Sequence, residues 1–187
     1  MTLRNALLAM AERFATMEQQ LNQFDAATGD GDHGTTMARG MAAVTTAVQR
    51  LPEGSSEGEC LQAAGEALLS SAGGASGALF GSLLLAFAQH QGWTTRFEQG
   101  AQRVAMRGKA QAGDKSMLDA LLPLAAAYRA GGLAAAARAA SDGAAATIPM
   151  AARRGRARYV ENAGVGHVDP GAMSIACMVE VLAENGA

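Results

Sequence analysis

Aromatic residues are scarce in this chain: five Phe, two Tyr and one Trp among 187 residues, or 4%. β-Sandwiches and barrels draw on aromatic and β-branched side chains for their pleated surfaces, so an all-β fold is excluded. Charge is sparse too, at 17%, and nearly balanced, with 15 Lys and Arg against 17 Asp and Glu for a net charge of −2. A protein that lives by neutralising nucleic-acid phosphates carries a basic surplus, and this one has none, so no nucleic-acid partner is expected. The two cysteines, Cys60 and Cys177, are too few for a disulfide framework and too far apart for a metal-binding pair, which suits a reducing compartment. The longest apolar run, around residues 77–88, is too short to span a bilayer. The amino-terminal stretch carries Arg4, Glu12 and Arg13 around a short apolar segment and lacks a secretory core. The expectation is a cytoplasmic protein with no membrane contact.

What the chain has in quantity is alanine, about a quarter of its residues, and 23 glycines, within a composition that is 49% hydrophobic. Alanine is the best helix former, and small side chains let helices approach closely. The length suits one domain, and the hydrophobic content suits a sizeable core. Leu3, Ala6, Leu7, Met10, Phe14, Met17 and Leu21 make one helical stripe that should end near Asp25. A second helix is expected from about Thr35 to Gln49, and a third follows the loop 51–59. The glycine-rich segment 72–77 should separate the third from a Leu-rich fourth, which ends before Gly92. A fifth covers about 94–107, and Asp114 could cap a sixth reaching Arg129. Gly131 and Gly132 then precede an Ala-rich seventh, broken or kinked near Gly143 and Pro149, and the last runs from Gly171 to Glu184. The expected fold is all-α, a single bundle of about eight helices.

The chemistry concentrates in residues 24–36, FDAATGDGDHGTT, where Asp25, Asp30 and Asp32 fall within eight residues. Clustered carboxylates raise one another's pKa unless a cation neutralises them. Hard oxygen donors beside Gly29, Gly31 and Gly34 suit Mg²⁺ better than a soft metal. The same residues also read as a turn in which Asp30 and Asp32 simply cap the next helix. An EF-hand starting at Asp30 would need Glu at its twelfth position, where Met41 stands. A phosphatase-type Asp-x-Asp would follow a β-strand, and the preceding residues look helical.

SAGGASGALFG (71–81) is a glycine-rich loop opening onto a helix, a possible anion site of bare backbone N–H groups or a plain helix junction. It is not a Walker A loop, because no Lys follows. Arg153, Arg154, Arg156 and Arg158 crowd one segment, either as a solvated cluster or with one or two members able to hold phosphate. His167 and Asp169 precede a turn and a helix start. Together, a carboxylate loop, a glycine loop and an arginine segment are what a Mg-nucleotide site requires.

Four ordered blocks carry a resemblance: GDGDHGTTMARG (29–40) with Asp25, SSAGGASGALFG (70–81), GDKSMLDALLP (113–123) and ARRGRARYVENAGVGHVDPGA (152–172). They resemble the nucleotide-binding L subunit or L domain of dihydroxyacetone kinases. The resemblance implies one L-type nucleotide-binding domain over 1–187, a barrel-like bundle of eight antiparallel helices with nucleotide at one end. It implies that Asp25, Asp30 and Asp32 ligate two Mg²⁺ ions and that His33, Gly34, Thr35 and Thr36 contact the nucleotide. It places Ala75 and Ser76 at the phosphates, Gly108 and Met117 near adenine and ribose, and Arg156 with Asp169, Pro170 and Gly171 closing the pocket. Asp25, Asp30, Asp32 and Arg156 would be the catalytic set.

The implied activity is transfer of the γ-phosphoryl group of Mg-bound ATP to dihydroxyacetone or a similar short ketose held on a separate K subunit. In one form of the family, ADP stays bound as a coenzyme and a phosphohistidine on a phosphotransferase-system M subunit recharges it. In the other, ATP is consumed. The chain's length, with no room for a K region, favours the free-standing form. Gly31 stands where many relatives carry Ala, and Arg158 where a small residue is common. A non-catalytic Mg-nucleotide sensor and a plain helical scaffold are the rival readings, distinguished by whether the chain supports transfer and whether it binds nucleotide.

Overall fold

The computed structural model describes residues 2–186. Those residues form seven α-helices, two short 3-10 turns and no strand: α1 (Leu3–Ala26), α2 (His33–Gln49), α3 (Glu57–Ser71), α4 (Gly74–Ala88), α5 (Trp93–Gly108), α6 (Leu118–Ala146) and α7 (Pro170–Glu184). Each helix packs on its neighbours in the chain, and α7 returns to pack on α1. The apolar stripes meet in one core. Met37, Met41, Val44 and Val48 repeat at helical spacing along α2 and are wholly buried. Burying each such side chain contributes about 1.5–3 kcal/mol.

Small residues set the closest approach. A Cβ at Gly65 of α3 would stand 3.0 Å from the carbonyl oxygen of Gly81, and one at Gly81 of α4 would stand 2.9 Å from that of Gly65. The two backbones cross there with no room for a side chain on either. Four aromatics gather elsewhere: Phe97 stands edge-on to both Phe87 and Tyr128 and is stacked on Trp93. Cys60 and Cys177 are both buried and unpaired.

Several boundaries differ from the sequence expectation. α2 begins at His33 rather than Thr35, because backbone N–H groups at its start are satisfied from α1 (below). α4 starts inside the glycine segment, at Gly74. Asp114 does not cap α6, which starts at Leu118; Lys115 between them has φ +59°, outside helical geometry. Asp119, in the first turn of α6, ties down the segment before it, accepting the Ser116 N–H at 2.8 Å and the Gly113 N–H at 2.5 Å.

The expected separation at Gly131 and Gly132 is present as a break within α6, with φ −152° and +65°. Gly143, by contrast, does not break the helix. It is a contact point, where a Cβ would stand 2.3 Å from the Asp119 carbonyl oxygen. α6 is also longer than the apolar run singled out above, and among the described residues it is long and apolar enough to cross a membrane by length and composition alone. Here it lies against α5 and α7, and the glycine break interrupts its backbone ladder.

Candidate functional site

A cleft of about 810 Å³ opens where the α1–α2 loop, the start of α4, the end of α5, the segment before α6, the arginine segment and the start of α7 converge. Asp25 lies in the last turn of α1, where a negative charge opposes the helix dipole. The fold turns that to use. Its Oδ2 accepts the backbone N–H of Asp32 at 2.9 Å and of His33 at 3.2 Å, so the carboxylate of one helix end caps the beginning of the next. Its Oδ1 stays clear because residue 29 is glycine; a Cβ there would stand 2.4 Å from that oxygen.

Asp32 occupies the N-cap position of α2, yet its side chain makes no capping bond. Capping therefore does not account for its carboxylate. One oxygen from each of Asp25, Asp30 and Asp32 lies within 4.8 Å of the other two. Donors to one octahedral Mg²⁺ at about 2.1 Å lie about 3 to 4 Å apart, so a small inward movement would suffice. An all-carboxylate donor set, half-buried at Asp25 and exposed at the other two, fits a hard divalent cation that keeps several waters. Arg156 pairs with Asp30.

His33 is buried, with Nδ1 3.0 Å from Ser76 Oγ and Nε2 2.8 Å from Ser174 Oγ. Burial drops its pKa to about 4, against the opposing pull of Asp25. A neutral imidazole offers one donor and one acceptor, and a hydroxyl can match either. The ring thus ties the start of α2 to the first turn of α4 and to α7. In the glycine loop Gly73 and Gly74 both have positive φ, at 76° and 56°, and α4 has no side-chain cap. Its first-turn N–H groups lack intrahelical acceptors, and Gly73, Gly74, Ala75 and Ser76 line the cleft.

Lys115 is 2% exposed and also borders the cleft. Its Nζ donates to the carbonyls of Thr147, at 2.6 Å, and His167, tying the two segments that flank the arginine cluster. Burial pulls its pKa below the usual lysine value, while Asp169 and Asp119 hold it up. The Asp169 carboxyl is pushed up to about 7 by burial, against the Ala172 N–H and the Lys115 ammonium. Asp169 caps α7 by accepting that N–H at 2.7 Å. Asp114, displaced from its expected role, accepts the Gln111 N–H at 3.0 Å and lies 3.5 Å from Arg154 Nε.

The cleft brings together Asp25, Asp30, Asp32, His33, Thr36, Ala75, Ser76, Gly108, Met117, Arg156, Asp169, Pro170 and Gly171. Gly34 and Thr35 are not among its walls. They face α1: a Cβ at Gly34 would stand 2.0 Å from the Glu18 carbonyl oxygen, and Thr35 bonds Asn22 and Glu18. The reason is helical phase, since adjacent positions point about 100° apart. Arg154, one of the four arginines considered for phosphate, lines the cleft; Arg39, Lys115 and Ser116 also line it although the motif reading assigned them no role, and Leu79 and Val104 add apolar wall. Lys115 had a signal, an isolated cation inside the glycine-bounded GDKSM turn. Arg39 had none, because its partners lie more than 30 residues away.

The chain has relatives among known proteins. The family profile for the DAK2 domain matches residues 27–184. The chain is 38% identical to the ADP-binding subunit DhaL of the PEP-dependent dihydroxyacetone kinase of Escherichia coli (strain K12), over 96% of this chain and 93% of the relative. It is 37% identical to D-erythrulose kinase of Mycolicibacterium smegmatis over 94% of this chain, but it spans only 34% of that longer protein. The solved dihydroxyacetone kinase from C. freundii in complex with AMP-PNP and Mg²⁺ superposes with a TM-score of 0.81 at 27% identity, covering 97% of this chain and 33% of that one. With the profile matched over most of its length and a relative covered almost end to end, the chain belongs to the DAK2 domain family.

Proposed function

We propose that this chain is the nucleotide-carrying subunit of a dihydroxyacetone-type kinase. It would hold Mg-ADP or Mg-ATP in the cleft and pass the γ-phosphoryl group to dihydroxyacetone or a similar short ketose on a separate K subunit. The observation that carries this reading is the set of three carboxylate oxygens within 4.8 Å of one another, in the same cleft as an uncapped glycine loop. The E. coli relative, named as an ADP-binding subunit and matched over nearly its full length, supports it.

Mg²⁺, as two ions in our reading, supplies charge neutralisation of the phosphates. The protein's part is positioning. Asp25, Asp30 and Asp32 offer the oxygen donors, the α4 first-turn amides offer hydrogen bonds to phosphate oxygens, and Arg156 offers a guanidinium to the same charge. Leu79, Val104 and Met117 form an apolar wall suited to a base. Phosphoryl transfer asks for little covalent chemistry from the protein, so this inventory suffices without a Ser–His pair.

Counting the two arms of α6 separately, we read the helical ring as an eight-helix barrel. The whole chain, 1–187, then acts as one nucleotide-binding unit in the cytoplasm. ADP as a bound coenzyme recharged by a phosphohistidine M subunit is the preferred donor scheme, in keeping with relatives named PEP-dependent. An ATP-consuming ketose or tetrose kinase is the second reading, favoured by the D-erythrulose kinase relative. The test is the nucleotide that co-purifies, identified by chromatography after denaturation. Stoichiometric ADP that survives dialysis with Mg²⁺ and leaves with EDTA is expected. An empty protein that binds ATP reversibly selects the second reading, and one that binds neither nucleotide with Mg²⁺ overturns both.

A further inference from the structure

The glycine loop is anchored at both ends to a single helix. On its amino-terminal side Arg39 of α2 reaches the end of α3, where Nε donates to the Ser71 carbonyl at 3.0 Å and Nη2 to the Ala72 carbonyl at 2.6 Å. These are the last residue and the C-cap of α3, carbonyls without helical partners beside which a cation is favourable. On the carboxy-terminal side His33, the first residue of α2, holds Ser76 in the first turn of α4 at 3.0 Å. Residues 73–75 lie between these two attachments. The same helix has Asp32 at its N-cap. α2 is therefore bonded to both sides of the glycine loop and continuous with the carboxylate loop.

We infer that α2 holds the anion-binding loop in register with the metal-binding carboxylates, and that Arg39 is a positioning residue for that loop. The inference rests on the nucleotide reading above for its purpose, though not for its geometry. Rotation of the loop about Gly73 and Gly74, both at positive φ, is what the two attachments prevent. Without the guanidinium fork, the α4 amides would be placed relative to Asp25, Asp30 and Asp32 only by core packing and by His33. Arg39 is exposed and lies outside the apolar core, so losing it should loosen the loop without unfolding the bundle. Lysine cannot replace it, because a single ammonium lacks the planar pair of donors that meets two successive carbonyls.

The test uses the full chain as wild type, Arg39→Met and Arg39→Lys. In nucleotide-free protein, amide hydrogen exchange is read at Ala72 and Gly77, whose N–H groups are bonded to Leu68 and Gly73. Exchange should rise about tenfold in both variants while the global melt is retained, and Mg-ADP affinity should fall about tenfold in both. Binding of Mn²⁺ alone should be unchanged, separating loop placement from damage to the carboxylates. Unchanged exchange in Arg39→Met would overturn the anchoring. Full recovery of ADP affinity in Arg39→Lys would also overturn it, since a bare charge acting on the ligand would then suffice. A wild type that binds no nucleotide would remove the kinase reading, while the exchange rates still decide whether Arg39 holds the loop.

Discussion

Two helices of this molecule start in opposite ways. α3 begins with a closed local arrangement: Ser56 Oγ accepts the Glu59 N–H at 3.2 Å, and the Glu59 carboxylate accepts the Ser56 N–H at 2.8 Å. α2 begins with an acidic residue at the N-cap that caps nothing, its first N–H groups served by Asp25 from the preceding helix. Both satisfy the orphan donors of a helix start. Only the second leaves the N-cap carboxylate free to face a cleft. Moving the capping task from Asp32 to Asp25 is what turns an ordinary acidic turn into a set of converging carboxylates.

The largest effect should come from Asp25→Ala, which removes a cap and a carboxylate of the proposed metal set together. Mg-nucleotide binding by calorimetry should be lost, and denaturant titration should show a loss of about 1–2 kcal/mol. Stability equal to the wild type would show that α2 does not depend on that carboxylate. Asp32→Ala sharpens the contrast: nucleotide binding should disappear in the same way, with stability within about 0.5 kcal/mol of wild type. A destabilisation as large as that of Asp25→Ala would mean Asp32 does cap its helix, and nucleotide affinity left intact would remove it from the metal set.

Ser56→Ala is the reverse experiment, expected to cost about 1 kcal/mol in the same titration while leaving nucleotide affinity alone. A loss of affinity there would mean the two helix starts are coupled. The smallest effect concerns acid. The two hydrogen bonds from Ser56 hold the Glu59 carboxyl below its usual 4.5. Because the folded pKa is the lower one, the stabilisation is present above about pH 4.5 and fades as pH falls through the folded value. Amide exchange at Glu59 and Cys60 should quicken over that window in the wild type and show no such step in Glu59→Gln.

How much was legible in advance follows from the range of the interactions. Of the α1 stripe, Leu3, Ala6, Leu7, Met10, Phe14 and Leu21 are buried, and Met17 is half-buried against the core. The density of aspartate and glycine in residues 25–34 marked the carboxylate cluster that the cleft holds, in a chain otherwise poor in charge. Asp114 misled because a residue of capping type sits ahead of a helical pattern, and the left-handed Lys115 that separates them has no local signature. Gly143 looked like a breaker and is a point of close approach to Asp119, something only the neighbouring turn of chain can reveal.

Composition and periodicity alone determined that this is an all-helical protein with an acidic turn, a glycine loop and an arginine segment, since helix formation and turn chemistry depend on residues within a few positions of one another. The tertiary structure decided which of those residues meet. It turned Gly34 and Thr35 toward α1, brought Thr36 and His33 into the cleft, and carried Arg39 to the end of α3. It also buried Lys115 between two distant carbonyls. Such pairings join residues tens of positions apart, and no local pattern encodes them; they exist only once the helices have packed and their relative phase is set.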